Sequence, residues 1–96
     1  MQFDFEWDPR KAAANVRKHG VSFELASTVF RDPNAMSMHD LEHSGKEDRW
    51  LTLGVSSTGA VLVVHHTFAE VDVDTVIVRL ISSRKATKRE LRQYAE

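Results

Sequence analysis

The chain contains no cysteine, so no disulfide can staple it and no thiolate can serve as nucleophile or metal ligand. It has no apolar run near the ~20 residues that a membrane-spanning helix needs. Its start, Met1-Gln2-Phe3-Asp4-Phe5-Glu6-Trp7-Asp8, lacks the basic residues and apolar stretch of a secretory signal. These absences lead us to expect a cytoplasmic protein without membrane contact. Glycine is scarce: the four glycines are scattered turn residues, so there is no phosphate-binding glycine loop, and no Gly-x-Ser-x-Gly occurs. An excess of one charge is missing too. Thirteen Lys and Arg face fourteen Asp and Glu, which argues against a generic nucleic-acid coat but leaves a basic patch on one face open. Ninety-six residues suffice for one domain with a modest core, expected to span 1–96.

The two prolines each follow an aspartate and punctuate helices. Gln2 to Glu6 alternates polar and apolar residues and reads as a short strand. Asp8-Pro9 then starts a helix, with Asp as cap and Pro at its first position, Ala12, Ala13 and Val16 as its apolar face, and Gly20 at its end. Ser22 caps a second helix with Phe23, Ala26, Val29 and Phe30 inward, stopped at Asp32-Pro33. Beyond it the period changes to two. Ala35–Leu41 is a weak strand candidate, and Arg49–Val55 alternates. Ser56-Ser57-Thr58-Gly59 signals a hairpin, and Ala60–Phe68 and Thr75–Ser82 read as strands. Thr87-Lys88-Arg89-Glu90 matches a capping box, so a closing helix is expected from there, burying Leu91 and Tyr94. The pattern predicts an α+β fold: an antiparallel β-sheet packed against two N-terminal helices, one layer of each, with a short C-terminal helix.

Charge is unevenly spread. Asp40 to Asp74 holds seven acids against Lys46 and Arg49, whereas Arg79 to Arg92 holds six basic residues and one acid. Arg84, Lys85 and Lys88 stand where a strand hands over to a helix, a place suited to a phosphate. The five histidines lack ligand spacing: His39 and His43 are four apart without the His-Glu-x-x-His pattern, and the adjacent His65 and His66 face opposite sides of a strand. They read as ordinary strand and loop histidines, and no metal or other cofactor is expected. The remaining set is Lys11, Lys18, His19, Arg49, Arg79, Arg84, Lys85 and Lys88. These residue types suit metal-free RNA cleavage, in which the 2′-hydroxyl attacks, a histidine moves protons and arginines hold phosphate oxygens. The same residues also occur as plain solvated helix faces.

Phe5-Glu6-Trp7-Asp8, Lys11, Asn15, Lys18-His19-Gly20-Val21-Ser22-Phe23, Phe30-x-Asp32, Asp48-Arg49-Trp50, Gly54 and Val78–Thr87 together resemble the BrnT toxin family over essentially the whole chain. The resemblance implies a bacterial type II toxin with a RelE-like fold that cleaves RNA independently of the ribosome. It also implies a BrnA-like ribbon-helix-helix antitoxin, a hetero-oligomer with it, and promoter DNA bound and repressed only through that partner. Lys11, His19, Arg49, Arg79 and Arg84 stand at matching motif positions. On this basis His19, Arg49, Arg79 and Arg84 are the candidate catalytic residues, and Lys11, Lys18, Lys85, Lys88 and Arg89 the candidate RNA contacts. Trp7, Asn15 and Gly20 read as architectural: staple, helix-surface bond and cap. One departure is Thr67-Phe68-Ala69-Glu70, where members often carry an Arg. The alternative reading is a non-catalytic module that only binds an antitoxin and acts as co-repressor.

Overall fold

In a computed structural model the chain forms β1 (Gln2–Glu6), α1 (Pro9–His19) and α2 (Phe23–Ser27), the last continued by a 3-10 turn over Thr28–Arg31. There follow β2 (Met36–His39), β3 (Trp50–Val55), β4 (Val61–Glu70), β5 (Thr75–Lys85) and α3 (Lys88–Ala95). The structure describes residues 1–45 and 47–96; Lys46, counted above in the acidic middle of the chain, lies outside them. The helix signals act as their chemistry requires. The Asp8 carboxylate accepts from the Arg10 N–H, Gly20 ends α1 in the left-handed region at φ +69°, and the Ser22 hydroxyl accepts from Leu25 N–H. Among the described residues no helix is long and apolar enough to cross a membrane.

The five strands lie in the order β1-β5-β4-β3-β2. Pairs β2–β3, β3–β4 and β4–β5 are antiparallel, as expected. The first strand corrects the expectation of a wholly antiparallel sheet: β1 runs parallel to β5, from Gln2 opposite Thr75 to Glu6 opposite Arg79. Strands so far apart in sequence need no hairpin, and a parallel edge is open to them.

The core lies between the sheet and the two N-terminal helices. Val21, Phe23, Ala26 and Val29 pack on Leu62, Val64, Val76, Val78 and Leu80. The α1 face differs from expectation. Val16 is 48 % exposed and Ala13 is also exposed, whereas Asn15 is buried. The reason is the free edge of β5. The first strand ends at Glu6, because Asp8-Pro9 turns the chain into α1, while β5 continues to Lys85. Asn15 substitutes for the missing strand: its Nδ2 donates to Ser83 O at 2.9 Å and its Oδ1 accepts from Ser83 N–H at 3.0 Å. The same Nδ2 donates to Val21 O at 2.9 Å, tying the turn after α1 into the joint.

A register shift marks the same stretch. His65 lies opposite Ser82 and His66 opposite Leu80, so Ile81 is the extra residue of a bulge. Leu80 and Ser83 are therefore both buried although three residues apart. Beyond the bulge Arg84 faces away from the N-terminal helices and meets Glu90 of α3. The third helix thus sits off the other face and packs against β3, which corrects the two-layer expectation. The Asp32 carboxylate accepts from Val55 N–H at 2.9 Å and from the Tyr94 hydroxyl, anchoring the end of α3. Tyr94 is partly buried, but Leu91 stays 43 % exposed, contrary to expectation. Where the 3-10 turn crosses β3, a Cβ on Gly54 would lie 2.9 Å from Val29 Cγ1, so only glycine fits without a shift.

Asn15→Leu fills the space but orphans the N–H and C=O of Ser83. Each buried group left unpaired costs ~1–3 kcal/mol. A chain of this size loses roughly 4–8 °C of melting temperature per kcal/mol. Thermal unfolding of the variant is expected to show a drop of at least that size; an unchanged melt would deny the joint its role.

Candidate functional site

Two clefts meet at Ile81 and Ser82, the bulged end of β5. The first, about 250 Å³, is lined by Lys11, Ala14, Asn15, Lys18 and His19. On a helix, positions 11, 14–15 and 18–19 recur on one side. Asn15 turns that side toward Ser83, so Lys11, Lys18 and His19 are held beside the free strand edge. Lys11 and Lys18 are exposed, His19 is half-buried, and none makes an ion pair among the described residues. The result is a positively charged concavity beside the strand edge that Asn15 closes.

The second cleft, about 190 Å³, is lined by Asp40, His43, Arg49 and His65. Its loop is closed by its own polar groups. Asp40 N–H donates to Arg49 O at 2.7 Å. The Ser44 hydroxyl donates to Asp40 O at 2.6 Å and accepts from Arg49 N–H at 3.0 Å. His43 Nδ1 lies 2.8 Å from Asp40 Oδ2, and His65 Nδ1 lies 3.9 Å from the same oxygen. Burial opposes the charge of Asp40, but the hydrogen bonds and positive field of His43 hold its carboxyl below the usual range. For His65, burial and then the Arg84 guanidinium push the imidazole down, only partly opposed by Asp40. Arg49 has a loose partner in Glu47 at 3.8 Å, so its fork remains open to the cleft.

The neighbouring His66 is a core residue. Its Nε2 is 2.6 Å from Thr52 Oγ1, its ring stands edge-on to Phe30 and Phe68, and burial pushes it down to about 4. One step along the strand thus separates a core histidine from a cleft histidine.

The other candidates are more dispersed. Arg79 lies opposite Thr67 on the same sheet face as His65; it is exposed and makes no ion pair among the described residues. Arg84 is held by Glu90 in a two-pronged pair, Nη1 to Oε1 at 2.7 Å and Nη2 to Oε2 at 3.0 Å, which raises its already high pKa. Glu90 Oε1 also accepts from Thr87 N–H, closing the expected capping box. Lys85, Lys88 and Arg89 are exposed around the start of α3. Asp40, His43 and His65 were passed over in the sequence. Their grouping with Arg49 depends on a ten-residue connection and on strand register, and only the opposite facing of His65 and His66 pointed toward it. A further concavity, about 620 Å³, lies on the helix-side face among Met1, Phe3, Trp50, Phe68 and Val76, rimmed by Asp48 and Glu70, away from these groups.

Residues 7–90 match the family model described as the ribonuclease toxin, BrnT, of type II toxin-antitoxin systems. The crystal structure of the Brucella abortus ribonuclease toxin, BrnT, aligns with a TM-score of 0.65 at 18 % identity, covering 91 % of this chain and 100 % of that one. At that identity the likeness is one of fold. No curated protein sequence matches the chain.

The Arg84–Glu90 pair makes stability depend on acid. Hydrogen bonding to Arg84, against the opposing effect of burial, pulls Glu90 from 4.5 down to about 2. A carboxylate depressed in the folded state stabilises above its unfolded pKa and loses that contribution as pH falls through the folded one. Stability is therefore expected to fall between about pH 4.5 and 2, and Glu90→Gln should flatten that part of the profile in chemical unfolding measured against pH. An identical acid limb in the variant would contradict the coupling.

Proposed function

The chain belongs to the BrnT family of ribonuclease toxins of type II toxin–antitoxin systems, and from that premise we propose that it cleaves RNA without the ribosome and without a metal ion. The observation that carries this reading is the junction of the two clefts. One presents Lys11, Lys18 and His19, the other Arg49 and two histidines, and both share Ile81 and Ser82. Such a set can grip successive phosphates and move protons.

In this reading the RNA 2′-oxygen is the nucleophile. Lys11 and Lys18 hold the backbone in the first cleft, and His19 exchanges a proton with the reacting ribose phosphate. Arg49, Arg79 and Arg84 supply fixed positive charge to the phosphorane; Arg84 does so as half of its pair with Glu90. Lys85, Lys88 and Arg89 extend the basic surface along the RNA. Residues 1–96 act as one toxin domain of RelE-like type, in the cytoplasm. A toxin of a type II system has an antitoxin partner. We infer one of BrnA-like, ribbon-helix-helix type, which forms a hetero-oligomer with this chain and carries it to promoter DNA.

Two observations support a second reading, a non-catalytic co-repressor. Arg84 already has a carboxylate on its fork, and Thr67-Phe68-Ala69-Glu70 lacks the Arg that the family resemblance leads us to expect there. Incubation of the purified chain with RNA separates the two. Cleavage leaving 2′,3′-cyclic phosphate or 3′-phosphate ends, unaffected by EDTA, is expected; full loss in EDTA with rescue by one divalent ion would refute the metal-free route, and intact RNA would favour the co-repressor.

Arg79 is the cleanest site test, because it is exposed and unpaired among the described residues. Arg79→Ala is expected to leave the melt unchanged and to lower the cleavage rate by ~10²–10³, the usual loss for a charge that stabilises a transition state. Arg84→Ala should lose both activity and stability, since Glu90 loses its partner. Glu90→Gln separates the effects: it removes the ion pair yet keeps Arg84, and should retain cleavage. Wild-type rates in both arginine variants would end this assignment.

A further inference from the structure

The attack of a 2′-oxygen on phosphorus moves two protons: one leaves the 2′-hydroxyl and one must reach the departing 5′-oxygen. The reading above names one histidine for this work, and the inference here rests on that reading. We propose that His65 is the general base of this chain, taking the 2′-hydroxyl proton, with Asp40 and His43 as positioning residues for its ring.

The geometry carries the assignment. His65 leaves the strand into the cleft of Arg49 with its side chain 26 % exposed. Its Nδ1 faces Asp40 Oδ2 at 3.9 Å, and its Nε2 has no hydrogen-bond partner among the described residues. Asp40 cannot swing freely, because His43 holds the same oxygen at 2.8 Å and Ser44 ties down its carbonyl. His65 pairs with Ser82, which also lines the lysine cleft. An RNA strand held by Lys11 and Lys18 and crossing Ile81 and Ser82 therefore brings a ribose to His65. A base must be neutral before it acts. The charged groups around His65 are Asp40 and His43 from the β2–β3 connection, Arg84 from β5, Glu90 from α3, and Arg49 in the cleft wall. Burial and Arg84 favour the neutral ring, while Asp40 favours the imidazolium once the proton has arrived. In the step, the 2′-oxygen bonds to phosphorus and the P–O5′ bond breaks with its electron pair on O5′. His65 takes the 2′-hydroxyl proton, and His19 protonates O5′. The products are a 2′,3′-cyclic phosphate and a 5′-hydroxyl.

The test uses the full chain and one oligoribonucleotide with its cleavage site mapped, made with the ordinary 5′-oxygen and with a bridging 5′-sulfur. The thiolate leaves without an acid, so the sulfur substrate needs only the base. His65→Gln is expected to slow cleavage of both substrates ~10²–10⁴-fold, with unchanged affinity for the uncleavable 2′-deoxy oligonucleotide. His19→Gln should be slow on the oxygen substrate and restored on the sulfur one. A wild-type rate in His65→Gln, or its rescue by sulfur, overturns the assignment. Should His65→Gln fail to fold, Asp40→Asn decides: loss of that charge should move the acid limb of the pH–rate profile to lower pH, and an unmoved limb overturns the proposal. If the wild type cleaves neither substrate, the ribonuclease reading itself falls, which distinguishes the two failures.

Discussion

The structure turns on one side-chain amide. Asn15 meets both backbone groups of Ser83 and the carbonyl of Val21, so three parts of the chain are set by one residue. A strand edge inside a protein must satisfy its N–H and C=O groups somehow. Here the parallel strand that would do so stops at Glu6. The amide supplies the same donor and acceptor from the side of a helix. A helix can therefore lie where a strand would have been, and it brings Lys11, Lys18 and His19 with it. The basic cleft is a consequence of how an unpaired edge was satisfied.

The bulge next to that joint decides the second cleft. An extra residue at Ile81 lets Leu80 and Ser83 share the buried side, and Arg84 beyond it comes out on the open face with His65. Without the extra residue, Ser83 would turn away from Asn15 and Arg84 would turn into the core, where an unpaired guanidinium is very costly. Bulges re-aim side chains at the ends of sheets. This one brings Arg84 of β5 onto the face that His65 of β4 already occupies, while keeping the hydrophobic layer continuous.

Electrostatics on the open face is arranged in pairs of unequal commitment. Glu90 caps α3 and grips Arg84, so helix start and strand end are locked together and Arg84 cannot collapse into solvent. Arg79 and Arg49, by contrast, keep open or loosely paired forks. Asp40 spreads one charge over two histidines. A surface with charges both pinned and open can hold its shape and still receive an anion.

Local signals were legible in the chain itself. Asp8-Pro9, Gly20, Ser22, Ser56–Gly59 and the Thr87–Glu90 box state their roles through short-range hydrogen bonds and backbone angles, and the structure has each of them in place. The alternation of β4 likewise told that His65 and His66 part ways, because a pleated strand alternates whatever surrounds it. The antiparallel strands were readable in the same way, whereas Lys11, His19, Arg49, Arg79 and Arg84 stood out as motif residues only through the family resemblance. What could not be read depends on contacts between distant segments. The parallel placement of β1, the burial of Asn15 in preference to Val16, the side taken by α3 and the meeting of Asp40, His43 and His65 with Arg49 are all set by register and by the bulge. A one-residue slip moves a side chain to the other face of a sheet, and no local propensity records that choice. The sequence determined the elements and their chemistry; tertiary pairing alone decided which of those groups share a cleft.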